Sequence, residues 1–215
     1  MPHVRPLVIA HHLVWTAYGW WLPTDPRGST SHFVHSDVIF QLGELHEGRK
    51  RVQPDAREIR AFYDEAKGKL KHPLLSIEPP DANAIAAAFQ DVIWQEQYTC
   101  YACAIMPDHV HILIRKHKHS AEEMIQNLQA ESKFRLRDFE LRPADHPVWG
   151  GPGWKVLLDS PNDVRRTIRY IEANPLKKGL PAQKFEFVKL YDGWPLHPGH
   201  SPNSPYAKKL RGSQE

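Results

Sequence analysis

The stretch Met106-Pro107-Asp108-His109-Val110-His111-Ile112-Leu113-Ile114 decides the fold that we expect for this chain. Side chains alternate across a β-strand, so His109 and His111 would share one face while the aliphatic residues beside them cover the other. A second apolar run, residues 98–105, ends just before the Pro-Asp turn. This is the pattern of two paired strands. The stretch therefore predicts a β-hairpin with two histidines on one face of its second strand.

Apolar spacing predicts the elements around this hairpin. A mixed aliphatic and aromatic run predicts a strand over residues 9–21. Residues 142–154 are rich in turn formers. Apolar residues at helical spacing predict helices over 54–71, 81–95 and 120–141.

A last helix is predicted after residue 160. Ser160 can cap it, and Pro161 suits its first position. Pro175 should end it, because proline lacks a backbone N–H and disfavours helical geometry in the residue before it. Tyr170 and Asn174 are four residues apart, so a helix would stack them on one side.

From the residue types and their spacing alone, two interpretations of these polar side chains stay open. His109 and His111 converge at a spacing suited to one metal ion, but a His-x-His pair also occurs as ordinary packing. Tyr170 and Asn174 could face such an ion and its substrate, or be a half-buried tyrosine beside an asparagine that ends a helix. Magnesium and manganese prefer oxygen ligands, and imidazole tolerates manganese better than magnesium.

Composition indicates one soluble domain. The chain has 215 residues, 41% hydrophobic and 25% charged, and no apolar run approaches the ~18–20 residues that span a bilayer. The N-terminus lacks the pattern of a secretory signal. We expect a cytoplasmic protein, nucleoid-associated at most, with no membrane partner and with a flexible C-terminal tail over residues 199–215.

The two cysteines, Cys100 and Cys103, exclude a disulfide framework. Their odd spacing on a strand would point them to opposite faces of a sheet. We expect buried structural thiols rather than a redox pair or half of a zinc site.

Three blocks of the sequence resemble one known family. Residues 106–114 look like the HUH motif (His, hydrophobic, His) of the single-tyrosine transposases of small bacterial insertion sequences. Residues 170–180, YIEANPLKKGL, are similar to the tyrosine helix of their relatives, the REP-associated tyrosine transposases. Residues 18–28, YGWWLPTDPRG, resemble an N-terminal block found in members of that group.

This resemblance implies a fold and a set of roles. The fold would be α+β, a single domain over residues 1–198 with an antiparallel, ferredoxin-like β-sheet, packed helices and the tyrosine on a late helix. Residues 29–80 would form a helical insertion. His109 and His111 match paired metal ligands, Tyr170 matches the nucleophile, and Asn174 falls where relatives place a third ligand. The metal would be Mg²⁺ or Mn²⁺.

The resemblance also implies an activity. Tyr170 would attack single-stranded or hairpin DNA and form a 5′-phosphotyrosine, so the chain would act as an endonuclease in DNA transposition and recombination. Relatives include dimers with shared sites and proteins that act alone, so both states stay open. One departure is Lys155, which stands where relatives often carry a histidine that contacts DNA.

Tryptophans and basic residues could add contacts to DNA. Trp20, Trp21 and Trp149 could stack on unpaired bases or fill a core. The net charge is only +3, but basic residues cluster in the second half of the chain. Those that could hold DNA phosphates are Lys133, Arg135, Arg137, Arg166 and Arg169.

Two other functions compete with a DNA-cutting transposase. A retired transposase that binds hairpins without cutting them is the alternative function, although the intact His109, His111 and Tyr170 argue against it. A histidine-triad hydrolase would need another histidine two residues after His111, where this chain has Leu113. The sequence therefore favours the transposase.

Overall fold

Strands from widely separated parts of the chain form one antiparallel sheet. The computed structural model describes residues 8–29, 42, 45, 48, 50–138, 143 and 145–195. The sheet order is β2-β3-β1-β4, with every pair antiparallel. Interleaved helices and this order give the split βαβ arrangement, which confirms the expected α+β, ferredoxin-like class. The elements are β1 (Ala10–Thr16), α1 (Ala56–Lys67), α2 (Pro79–Gln95), β2 (Cys100–Ile105), β3 (His109–Arg115), α3 (Ala121–Asp138), β4 (Trp154–Leu158) and α4 (Pro161–Lys177).

The two faces of the sheet are covered by different helices. Helices α2 and α3 pack on one face, where Trp15, Phe89 and Leu128 are fully buried in the larger core cluster. Helix α4 packs on the other face, where Val164 and Ile171 meet strand residues in a smaller cluster. Because side chains alternate along β3, the histidines of this strand lie on the α4 face.

The predicted hairpin is present. Strands β2 and β3 pair directly across the Pro-Asp turn, and the Met106 N–H donates to the His109 carbonyl over 2.8 Å. The predicted helices are present with ends shifted by a few residues: α1 covers 56–67 within the predicted 54–71, whereas α2 begins at Pro79, two residues before its predicted start. The C-terminal end predicted for the helix at 120–141 lies outside the described residues.

Two strand predictions need correction. The strand predicted over 9–21 ends at Thr16, because Gly19 (φ 82°) and Trp21 (φ 54°) have left-handed backbone that leaves the extended conformation. Strand β4 was missed altogether. Three of its five residues are exposed, and among the described residues it pairs only with β1 at the sheet edge, so it carries no alternating burial pattern for sequence analysis to detect.

Pro175 does not end the last helix as predicted. Helix α4 continues through it to Lys177. Proline in the final turn removes a single N–H, and the helix ends where Gly179 takes a left-handed φ of 72°. The Pro175 carbonyl still accepts from the N–H groups of Lys178 and Leu180.

The prediction that the cysteines point to opposite faces is also wrong. The pairing register shifts between Cys100 and Ala102, so β2 carries one extra residue opposite β3. Such a bulge reverses the alternation beyond it. Both thiols consequently lie in the larger core cluster, buried and unbonded to each other, as structural thiols.

The rest of the chain is described in part. Helix α1 packs through Phe62, Tyr63 and Ala66 against Leu22, in a third apolar cluster. The remainder of the expected insertion at 29–80 is only partly described, and the tail at 199–215 lies outside the described residues. No helix in the described ranges is both long and apolar enough to cross a bilayer.

Candidate active site

One cleft gathers the residues predicted as metal ligands and nucleophile: His109, His111, Asn174 and Tyr170. Its volume is about 410 Å³. Strand β3 contributes one wall, helix α4 a second, and the segment after β1 a third. The cleft is lined by Val14, Trp21, Arg27, Gly28, Ser29, Gly48, Asp108, His109, His111, Trp154, Tyr170, Asn174 and Lys178.

The two histidines of β3 converge through their Nε2 atoms. His109 Nε2 lies 3.0 Å from His111 Nε2. His109 Nδ1 lies 2.7 Å from a carboxylate oxygen of Asp108 and must donate to it, because an ionised carboxylate only accepts. In the tautomer with the proton on Nδ1, the Nε2 atom of His109 carries a lone pair directed at His111.

A third histidine completes a chain of hydrogen bonds. His12 Nε2 lies 3.0 Å from His111 Nδ1. Sequence analysis missed His12, because nothing in the sequence gives the register in which β1 lies beside β3. Val14, two residues on, is the register partner of His111, so His12 and His111 share the α4 face. The chain of contacts runs from Asp108 through His109 and His111 to His12.

Burial keeps the rings of His12 and His111 neutral. Burial, followed by the neighbouring His109 and His12, lowers the pKa of His111 to about 2. Burial lowers the pKa of His12 to about 4. For Asp108, burial works against ionisation, but the hydrogen bond and charge of His109 dominate and hold its pKa below the usual range. His12 and His111 are therefore neutral imidazoles, and Asp108 is an ionised carboxylate.

Tyr170 leans over the histidines from α4. Its ring centroid is 5.5 Å from that of His111 and 6.1 Å from that of His12, both edge-on. Tyr170 is 45% exposed and lines the cleft, so it is accessible to a ligand there. Lys177 Nζ lies 5.4 Å from the centre of the tyrosine ring.

Asn174 lies one helical turn after Tyr170 and lines the same cleft. Its side-chain nitrogen is buried and has no hydrogen-bond partner among the described residues. A buried amide without a partner is unusual, and a half-turn of the amide exchanges its nitrogen and oxygen. Either atom of Asn174 is thus available to a bound group.

These residues fit a divalent ion. Two ligand atoms about 2.1 Å from an ion and at right angles to each other lie about 3.0 Å apart, which matches the spacing of the two Nε2 atoms. No three His, Cys, Asp or Glu side chains in the described ranges are arranged around one point. The third protein ligand would have to be the Asn174 amide, and remaining positions would be left to water or substrate.

The basic residues predicted to hold DNA fall on two faces. Lys133, Arg135 and Arg137 belong to α3, which packs on the face of the sheet opposite the cleft. Arg135 is also engaged by Asp91 and by Glu131. Arg166 and Arg169 belong to α4 and are exposed beside Tyr170, although Arg166 contacts Asp163.

Comparison with known proteins identifies the family. A family model described as "Transposase IS200 like" matches residues 69–174. Over these residues the chain belongs to the IS200-like transposases. The match contains the hairpin, both cleft histidines and Tyr170, and it ends at Asn174. The cleft wall formed by residues 21–29 lies outside it. Membership of this family makes DNA transposition the supported class of function.

Solved structures add two similarities. A REP-associated tyrosine transposase bound to a REP hairpin is 11% identical, with a TM-score of 0.43, over 84% of this chain and 76% of that one. A protein from Deinococcus radiodurans R1 assigned as a transposase is 14% identical, with a TM-score of 0.39, over 80% of this chain and 93% of that one. No curated protein matches the sequence. The assignment of this IS200-like transposase rests on the family model.

Proposed function

We propose that this IS200-like transposase is a metal-dependent, single-tyrosine DNA endonuclease and strand-transfer enzyme. The observation that carries the proposal is one cleft in which Tyr170 overhangs two converging imidazole nitrogens. A nucleophile and a pair of metal ligands on facing elements are what phosphodiester transfer requires. The cofactor would be Mg²⁺ or Mn²⁺.

Each residue around the proposed metal has a defined task. His109 and His111 would hold the ion through Nε2, with Asn174 as a weaker oxygen ligand. Asp108 and His12 would fix the rings through the two Nδ1 atoms. When bound, the ion would offset negative charge on a non-bridging phosphate oxygen.

Tyr170 would carry out the covalent step. Its phenol oxygen attacks phosphorus, a Tyr–O–P bond forms and the P–O3′ bond breaks. The phenol proton passes to solvent, and the departing O3′ takes up a proton to become a free 3′-hydroxyl. The ester keeps the energy of the original bond, so a second 3′-hydroxyl can reverse the step and complete strand transfer.

Single-stranded or hairpin DNA is the proposed substrate. The reacting groups lie at a cleft rather than on a protruding helix, which suits a strand whose backbone is free to bend. Both halves of the site come from one chain, since Tyr170 contacts His111 of its own chain. This favours a monomer that is complete by itself, with a homodimer as the other state to be tested.

The direct test is detection of the covalent intermediate. The transposase would be incubated with Mn²⁺ and a hairpin-bearing oligonucleotide labelled at either the 3′ or the 5′ end. On a denaturing gel the 3′ label should shift to the mass of a protein adduct, whereas the 5′ label should leave as a shorter free strand. Cutting with no adduct on either label would overturn the single-tyrosine mechanism.

A further inference from the structure

The third wall of the cleft is formed by residues that the reaction does not use. Trp21 and Arg27 line it beside His109 and Tyr170, with Trp154 on the adjoining edge strand. The guanidinium carbon of Arg27 lies 3.8 Å from the centre of the Trp21 ring, within the range of a cation–π contact. The Trp21 and Trp154 ring centroids are 6.3 Å apart.

Trp21 is held in an unfavourable backbone conformation. Its φ of 54° is rare for a bulky residue, and such conformations persist where surrounding contacts enforce them, often at binding sites. Its N–H donates to the Tyr63 hydroxyl over 2.8 Å. The adjacent Trp20 packs into the core, whereas Trp21 is in none of the apolar clusters of the described residues. The backbone at Trp21 thus places an indole in the cleft, not in the core.

Arg27 is fixed from behind by a buried network. Its Nε and Nη2 donate to the two carboxylate oxygens of Asp25 over 2.8 and 2.7 Å, and Asp25 is 1% exposed. Nη2 also contacts the Tyr63 hydroxyl, which in turn donates to Asp25. Tyr63 comes from α1, so this helix serves to hold the cleft wall in place.

We infer that Trp21, backed by Arg27, is a nucleotide subsite that stacks an unpaired base next to the strand position that reacts at Tyr170. The inference rests on the proposed function, because that function supplies the reacting phosphate beside which the base would stack. The indole lines the same cleft as the ammonium group of Lys178, which matches a base attached to a phosphate, while Arg27 stays paired with Asp25 and stacks on the indole. In a duplex both faces of a base are covered by the adjacent base pairs and cannot stack on the indole. The occupant is therefore single-stranded DNA.

The test measures the contribution of bases apart from that of phosphates. Short fluorescent thymidine strands and abasic strands of equal length carry the same charge and would be compared in Tyr170→Phe protein without metal. Trp21→Asn removes the ring, while asparagine tolerates left-handed backbone. The base-bearing strand should lose about tenfold in affinity and the abasic strand little. Trp21→Phe should retain most of the preference, and Trp94→Ala, at an exposed tryptophan of α2 outside the cleft, should retain all of it.

A second measurement needs no variant. Strands carrying 5-iododeoxyuridine would be photocrosslinked to the wild-type chain, and the crosslinked peptide should contain Trp21. Crosslinks confined to other aromatic residues, or a base preference that survives Trp21→Asn, would overturn the subsite. Base-dependent binding through Trp21 without any Tyr170 adduct would leave the subsite standing and overturn the proposed function. Cleavage by the wild type, together with an unchanged base preference in Trp21→Asn, would overturn the subsite and leave the proposed function standing.

Discussion

His12 Nε2 and His111 Nδ1 lie 3.0 Å apart and join strand β1 to the proposed metal site. For His111 to offer Nε2 to an ion, its proton must be on Nδ1. His12 Nε2 must then accept the hydrogen bond from that N–H. His12→Phe should therefore weaken Mn²⁺ binding about 10- to 100-fold, the usual effect of losing such a partner. His12→Gln, which keeps an acceptor, should recover part of the loss.

Calorimetric titration of Mn²⁺ into the free protein measures this effect without cleavage. The adjacent His11 faces the other side of the sheet, so His11→Leu is the matched control and should leave Mn²⁺ affinity unchanged. Equal affinities in His12→Phe and the wild type would remove His12 from the site.

The proposed metal ligands should be separable from the fold. Replacing His109 and His111 together with alanine should abolish Mn²⁺ binding and metal-dependent cutting, because both nitrogen ligands are removed. Affinity for a single strand should fall little, since phosphate contacts provide most of it. Electron paramagnetic resonance of free Mn²⁺ would follow binding. Retained cutting by the double variant would show that the ion is held elsewhere.

Tyr170→Phe should eliminate both cleavage and the protein–DNA adduct. The phenylalanine ring keeps the edge-on contact with His111, so the free energy of unfolding should change by about 1 kcal/mol or less. Tyr191→Phe removes a hydroxyl bonded to the Trp194 carbonyl and should leave the adduct unaffected. An adduct formed by the Tyr170 variant would identify another nucleophile.

Acid should destabilise the metal-free fold through its buried histidines. Burial first, with Lys116 and Lys155, lowers the pKa of His11 to about 4, and both of its ring nitrogens lack a partner among the described residues. Below pH 6.5 the unfolded chain binds a proton here that the folded chain does not. The free energy of unfolding should fall by up to about 1.4 kcal/mol per pH unit between pH 6.5 and 4 for this ring alone.

Urea unfolding at pH 7.5 and 5.5 would measure that contribution. His11→Leu should reduce the loss of stability on acidification relative to the wild type, because it removes one of the histidines whose pKa is lowered. Identical losses in the two proteins would mean that His11 does not stay neutral in the fold.

The basic residues should differ in their effect on DNA binding. Arg166→Gln and Arg169→Gln, on the helix that carries Tyr170, should weaken single-strand binding. Each should also reduce the slope of log affinity against log salt by about 0.7 for every phosphate that the variant no longer neutralises. Lys133→Gln is the control on the opposite face and should change neither quantity. Equal effects of all three would indicate diffuse electrostatic attraction.

Local sequence patterns predicted the parts of this fold that depend on interactions between residues close in sequence. The hairpin and the helix caps follow from alternation and from Ser160 or Pro161, so they were predicted. The bulge at Cys100 and the edge strand β4 depend on pairing with distant residues. His12 was missed for the same reason, since its role exists only through a register between strands far apart in sequence.

The central place of β1 has a kinetic consequence. His12 and His111 are 99 positions apart, and β4 joins the other edge of β1 later still. Pairings of such long range pay a large loop-closure entropy and form slowly. During synthesis the β2–β3 hairpin, which contains both histidines, can form before β4 has been made and can pair with β1. Tyr170, on helix α4, would join the site at the end, so a nascent chain would carry the proposed ion-binding pair before it carried the proposed nucleophile.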